Sequence, residues 1–306
     1  MISQSRHRHR MRAGPILLYV VGIAFFCGMD ALMKLLVGTN PTMMATFWRY
    51  AAALPFILLL WWREGRPSIT REMLPVNFAR AVFGSLSAVT FFWSLSVLPL
   101  AEAVTIAFVA PLLIPPLASL ILKERMQGGN LTAGLIGFAG VLVAVGLDPS
   151  GYPEERLRGV GAALFAALCY ALAIVLTRMR AARDGPTILS LLNALFGSLL
   201  IGFAMAATVP PGQWLPSGMD WWYVGAVGLC GAVALQLIAR AYARVEAQVL
   251  APFEYTALGW AALLGWAFFD EPVSPRTWVG AAIIAGACMW QARRGEAVPA
   301  PSSPAA

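Results

Sequence analysis

Six ionisable residues stand inside long apolar stretches of this chain: Asp30, Lys34, Arg49, Arg80, Arg240 and Glu254. Each costs about 2.5–3.5 kcal/mol to place in a bilayer interior, so each needs a structural or functional reason to be there. The chemistry open to them is ion pairing, anchoring of an anionic group and carriage of a proton. Asp30 and Lys34 are four residues apart, a spacing that brings them onto one helix face as a pair. Folding the chain at Thr39 and Asn40 sets Arg49 at the depth of Asp30, so a second pairing is available. Two roles stand for this cluster: a buried lock between two helices, or a substrate-binding or gating site. Arg240 and Glu254 flank a turn near residue 245 at an offset that an Arg side chain spans, and Pro252 disturbs the helix just before Glu254, which is read as lining a cavity. Arg80 has no carboxylate in its own stretch and either snorkels to the headgroups or anchors an anion. Glu102 is read as interfacial. Four cations against Asp30 and Glu254 leave this interior positive, which favours solutes carrying a carboxylate.

Aromatic walls for an organic solute are offered by Trp93, Tyr170 and Tyr255, which sit beside small or polar residues inside the stretches. The cysteines Cys27, Cys169, Cys230 and Cys288 stand singly, without metal-type spacing, and read as packing residues. No metal or cofactor site is expected.

The elements that must hold these groups are ten apolar stretches, read at about 14–37, 41–62, 74–96, 101–122, 129–147, 159–179, 186–208, 221–242, 247–269 and 275–292. With 59% of residues hydrophobic and 12% charged, the chain lacks the polar surface that a water-soluble globule needs. The expected class is an all-α integral membrane protein. Placing the N-terminus in the cytoplasm puts fifteen of the 22 Lys and Arg residues on the cytoplasmic side and three on the other, which assigns both termini to the cytoplasm. The basic residues are scattered over separate loops, so the net charge of +7 reflects topology and not a nucleic-acid surface. The segments so defined are a basic tail (1–13), a first five-helix unit (14–147), a linker (148–158), a second unit (159–292) and a tail rich in Pro, Ala and Ser (293–306) that reads as disordered.

Leu122-Lys123-Glu124 followed by Gly134 and Gly140 matches Phe269-Asp270-Glu271 followed by Gly280 and Gly286, which marks a duplication. Five helices per copy make the second copy enter from the opposite face, inverted relative to the first, as in transporters that work by alternating access.

Met29-Asp30-Ala31-Leu32-Met33-Lys34, Arg49, Arg80, the run Leu98-Pro99-Leu100-Ala101-Glu102-Ala103, Ala110-Pro111-Leu112, Lys123-Glu124-Arg125, Ala251-Pro252-Phe253-Glu254-Tyr255 and Asp270-Glu271-Pro272 together resemble the EamA-type families of the drug/metabolite transporter superfamily, over about residues 14 to 292. The resemblance implies ten transmembrane helices in two inverted five-helix repeats and a role in moving small organic solutes, with the fifth helix of each repeat peripheral. The expected function is a secondary active transporter of small organic metabolites in the inner membrane, with amino acids or related amphipathic and anionic solutes first. Its partners are the lipid bilayer, the solute and protons as the coupling ion, with Asp30 and Glu254 as the candidate carriers. A membrane receptor or a membrane enzyme is the alternative. The enzyme reading is weak, since His7 and His9 both lie in the tail and no nucleophile–histidine or metal–histidine set remains. No Walker-type glycine pattern is present to use a nucleotide.

The basic asymmetry makes a direct prediction. With the four native cysteines replaced, a single cysteine at Arg66 should resist a membrane-impermeant maleimide in intact cells and one at Ser150 should react; the opposite pattern overturns the orientation.

Overall fold

The computed structural model describes residues 2–123, 128–146, 153–242, 253 and 255–295, and these residues form helices without strands. They are α1 (Ile2–Thr39), α2 (Thr42–Arg63), α3 (Leu74–Val97), α4 (Leu100–Ala107), α5 (Ala110–Leu122), α6 (Gly128–Val145), α7 (Glu154–Asp184), α8 (Pro186–Thr208), α9 (Asp220–Tyr242), α10 (Thr256–Phe269) and α11 (Pro275–Gly295). Helix α1 continues through the basic segment expected as a tail, and residues 296–306 lie outside the described set. Seven spans among the described residues are long and apolar enough to cross a membrane, one of them Leu100–Ile121, which contains α4, a break at Phe108 and Val109, and α5. Extended backbone at Leu98 follows from the proline after it and ends α3.

The duplication is written into the backbone. Of three non-glycine residues with positive φ among the described residues, two are Lys123 (φ 56°) and Asp270 (φ 52°), the matched residues that end α5 and α10. Both close their helices in the left-handed conformation.

Packing follows the inverted relation. The first helix of each repeat lies along the third helix of the other: α1 packs along α9, and α7 along α3. Second helices α2 and α8 meet each other, as do fifth helices α6 and α11, and α4 meets α10. These pairs interlace the two repeats, and α8 against α3 and α2 against α9 join them further. The units that pack are therefore not the sequence halves.

One polar contact is made twice, once at each end of the molecule. At the end that carries Lys34, the amide of Asn40 in the α1–α2 turn donates to the carboxylate of Asp220 at the start of α9 (3.1 Å). At the other end, Asn77 near the start of α3 donates to Asp184 at the α7–α8 turn (2.9 Å). Each joins the first turn of one repeat to the third helix of the other. The Asp184 carboxylate is fully buried and also accepts from Arg180 Nε (3.1 Å).

The fifth helices cross at glycine. A Cβ at Gly280 would lie 2.5 Å from both Ala144 Cβ and the Gly140 carbonyl oxygen, so this crossing needs hydrogen at that position. A Cβ added at Gly286 would meet nothing within 4 Å.

Two predictions come from this packing. Gly280→Val should cost about 1–3 kcal/mol by overpacking, read as a lower melting temperature in detergent, while Gly286→Ala should leave it unchanged. Asp184→Asn should lower the same temperature more than Asp220→Asn, because removing a fully buried partner of Arg180 costs about 3–5 kcal/mol and Asp220 is only partly buried.

Candidate functional site

One face of α1 sets out the site in order. Leu17, Val21 and Phe25 form a stripe exposed on the outside of the bundle. Phe26 lies about half a turn from Leu17 and Val21, and its 42% exposure is therefore to a crevice between the helices. Tyr170 on α7 has the same setting: Phe165 and Leu168 face outward, and Tyr170, 48% exposed, points to the opposite side. A crevice thus enters between the first helices of the two repeats.

One turn along α1 from Phe26 is Asp30, buried at 6% exposure. The expected pair with Lys34 does not form: among the described residues no cation lies within 4 Å of the Asp30 carboxylate. Arg49 is close enough to act on Asp30 electrostatically, as the fold at Thr39 and Asn40 predicts, but without direct contact. The Arg49 guanidinium lies 5.1 Å from the centre of the Tyr50 ring and 5.2 Å from that of Phe92, a setting that favours a cation. Its Nε is buried and has no hydrogen-bond partner. Asp30 and Arg49 are thus a carboxylate and a guanidinium held near each other with bonding capacity left over.

A further turn along the same face is Lys34, whose ammonium points away from Asp30. It pairs with Glu271 Oε1 at 2.7 Å, donates to the Leu98 carbonyl and lies 5.3 Å from the Phe269 ring centre. The second oxygen of Glu271 accepts the backbone N–H of Leu100 at 2.9 Å, capping the start of α4. Asp270 in its left-handed turn lets the Glu271 N–H return to the Gly265 carbonyl, which aims the carboxylate inward. The local i, i+4 rule pointed to the wrong partner because a helix-end carboxylate from the other repeat offers both a charge and a cap.

Two more expectations, those for Arg80 and Trp93, are revised, and Glu102 gains a partner. Arg80 does not snorkel: it is buried and donates to the Leu189 carbonyl at the start of α8, near Asp184. Glu102 is buried and bound to Arg156 at 2.8 Å, so it braces α4 on α7. Trp93 falls on the outward stripe of α3 with Phe78 and Leu86 and lines no crevice. Arg240 is exposed near the end of α9, and Glu254, its proposed partner, lies outside the described residues. Tyr255 packs on Phe108, at the break between α4 and α5, with ring centres 5.3 Å apart. With Lys34 and Arg80 engaged by protein, the positive balance inferred from composition reduces locally to the Asp30–Arg49 couple.

Glu271, Phe26 and the Asn–Asp contacts were not among the expected site residues. The matched Lys123-Glu124 and Asp270-Glu271 exits were the signal that could have singled out Glu271. Among the described residues no three His, Cys, Asp or Glu side chains gather as a metal ion would need.

Comparisons with known proteins agree with this architecture. The model of the EamA-like transporter family matches twice, at residues 14–146 and 157–291. An uncharacterized transporter of Helicobacter pylori is 29% identical over 212 residues, covering 67% of this chain and 69% of that one. The pseudopaline exporter CntI of Pseudomonas aeruginosa is 25% identical over 274 residues, covering 90% and 94%. A riboflavin transporter of Brucella anthropi is 25% identical, covering 83% and 89%. A solved crystal structure shares the fold with a TM-score of 0.64 at 20% identity, over 94% of this chain and 100% of that one. Two family matches that together span nearly the whole chain, on a bundle whose two five-helix repeats pair first helix with third, make this protein a member of the EamA-like transporter family.

Proposed function

We propose that the chain is a secondary active transporter of small organic metabolites, first of amino acids and related amphipathic or anionic solutes, working by alternating access between its inverted repeats. The observation that carries this reading is the order along α1: an open crevice at Phe26, a buried and unpaired carboxylate at Asp30, and a closed contact at Lys34. That sequence is what one half of an access cycle requires, a path from one face to a polar site that is sealed from the other. Arg49, with its orphaned Nε between two rings, is the anchor for the solute's carboxylate. Asp30 answers the ammonium of an amino acid or takes the coupling proton, and Tyr170 flanks the entry. The protein sits in the inner membrane with both termini cytoplasmic. Relatives named for pseudopaline export, riboflavin transport and S-adenosylmethionine uptake support a small-metabolite cargo without fixing its identity or its direction.

The test is uptake and efflux by purified protein in liposomes against amino acids, nucleosides and organic anions, with and without a pH gradient. Saturable flux is expected for at least one carboxylate-bearing solute. Asp30→Asn should abolish accumulation driven by the pH gradient while solute exchange continues, because the amide cannot carry the proton. Wild-type accumulation in that variant removes Asp30 from the coupling role, and binding without flux in the native protein favours a receptor.

A further inference from the structure

We infer that Tyr50 is a positioning residue for Arg49: its ring, seated on a glycine of the other repeat, fixes the direction in which the guanidinium meets a solute's carboxylate. The inference rests on the reading of Arg49 as the solute's anchor and adds to it the side chain that aims it.

Tyr50 follows Arg49 on α2 and is buried at 5% exposure, where α2 packs against α8. Its ring lies on Gly197 of α8. A Cβ at Gly197 would stand 2.7 Å from both Cδ1 and Cε1 of Tyr50 and 3.2 Å from its Cγ, and these are the three atoms it would meet first. Such a distance is well inside the roughly 3.5–4.0 Å of touching carbon atoms, so only hydrogen at residue 197 leaves the ring its place. The hydroxyl at the far end of the ring donates to the Gly84 carbonyl of α3 at 3.3 Å. Contact with α8 and a hydrogen bond to α3 thus hold the ring together. The Arg49 guanidinium carbon stands over it, 5.1 Å from the ring centre, and over Phe92 of α3, itself 2% exposed, at 5.2 Å.

These contacts limit a side chain that is otherwise free to turn. A guanidinium carries its donors in one plane and receives a carboxylate in two parallel bonds along an edge of that plane. Attraction of the cation to two fixed ring faces restricts how the plane can rotate. Arg49 Nε, buried and without a hydrogen-bond partner, is a donor on the edge left for a ligand. Gly197 therefore bears on the anchor without being its neighbour: the room it leaves sets the ring, and the ring sets the guanidinium. At Gly84 a Cβ would make only ordinary contacts, 3.5 Å from Asn193 Oδ1 and 4.0 Å from the Tyr50 hydroxyl oxygen, so that glycine serves as the control.

The test reads Arg49 directly by nuclear magnetic resonance. Purified protein in detergent carries arginine isotopically labelled at Nε, and the Arg49 signal is identified by its loss in Arg49→Lys. Protons held over aromatic faces are shielded, so the native Arg49 proton should resonate upfield of the exposed arginines. Gly197→Ala should move it downfield although the new methyl meets Tyr50 first, and Tyr50→Leu, which removes the ring, should move it further. Tyr50→Phe keeps the ring, and both it and Gly84→Ala should leave the signal near its native place. Sodium butyrate, a carboxylate on a short apolar chain, should shift the native signal and butyramide should not. In Gly197→Ala the butyrate concentration at half shift should rise about tenfold, the loss of a charge-assisted hydrogen bond. An Arg49 signal unmoved in both Gly197→Ala and Tyr50→Leu overturns the inference, and so does a displaced signal with butyrate bound as tightly as in the native protein. Should Gly197→Ala lower folded yield, Tyr50→Leu, with Tyr50→Phe as its conservative rescue, carries both measurements with the same outcomes deciding. The two readings fail separately: a signal that moves with these variants but ignores butyrate in the native protein sinks Arg49 as the solute's anchor, whereas butyrate binding with a signal indifferent to residues 50 and 197 sinks the positioning alone.

Discussion

An ionisable group on the inward face of a transmembrane helix is costly to leave without a partner, and in this chain the partner comes repeatedly from the other repeat. Lys34 of the first repeat takes Glu271 of the second, and Asn77 takes Asp184. Glu102 takes Arg156 of the segment that begins the second repeat. Away from water an unpaired charge has no substitute partner, so these contacts add to the apolar packing that holds the same helices together. The pairing of α1 with α9 and of α3 with α7 is the geometric expression of the same demand.

From that constraint the rest follows in sequence. Third helices packed against foreign first helices interlace the two repeats, and the turn regions are tied across at both ends by an amide donating to a carboxylate. The fifth helices remain outside this exchange and cross each other where glycine permits contact of backbone with backbone. The face of α1 passes from an open crevice to a sealed contact in about two helical turns, and Asp30 with Arg49 lies between those conditions.

The fold was largely legible in the residues because its determinants are local: apolar length, turn residues between stretches, and a Lys123/Asp270 repeat that both copies close with the same left-handed residue. The site was legible only in part. Asp30 and Arg49 stood out as costly charges at one depth, which needs only the hairpin geometry of α1 and α2. The partner of Lys34 did not, since its position depends on a contact between the first helix and the last turn before α11. Trp93 and Tyr170 looked alike as aromatic residues within spans. Sorting them needed the angle around each helix relative to its outward stripe, and that angle separates Trp93, beside Phe78 and Leu86, from Tyr170, opposite Phe165 and Leu168.

The exchange of helices between repeats also bears on biosynthesis. A ribosome delivers α1 to the membrane before α9 or Glu271 has been made, and at about 5–20 residues per second the interval before Glu271 emerges is on the order of ten to fifty seconds. Throughout it Lys34 and Asp30 stand on a helix whose covering neighbour does not yet exist. The nascent first repeat is therefore an open half-shell that needs lipid headgroups, the insertion machinery or a membrane chaperone to shelter those charges. The finished bundle closes only when the last two helices arrive.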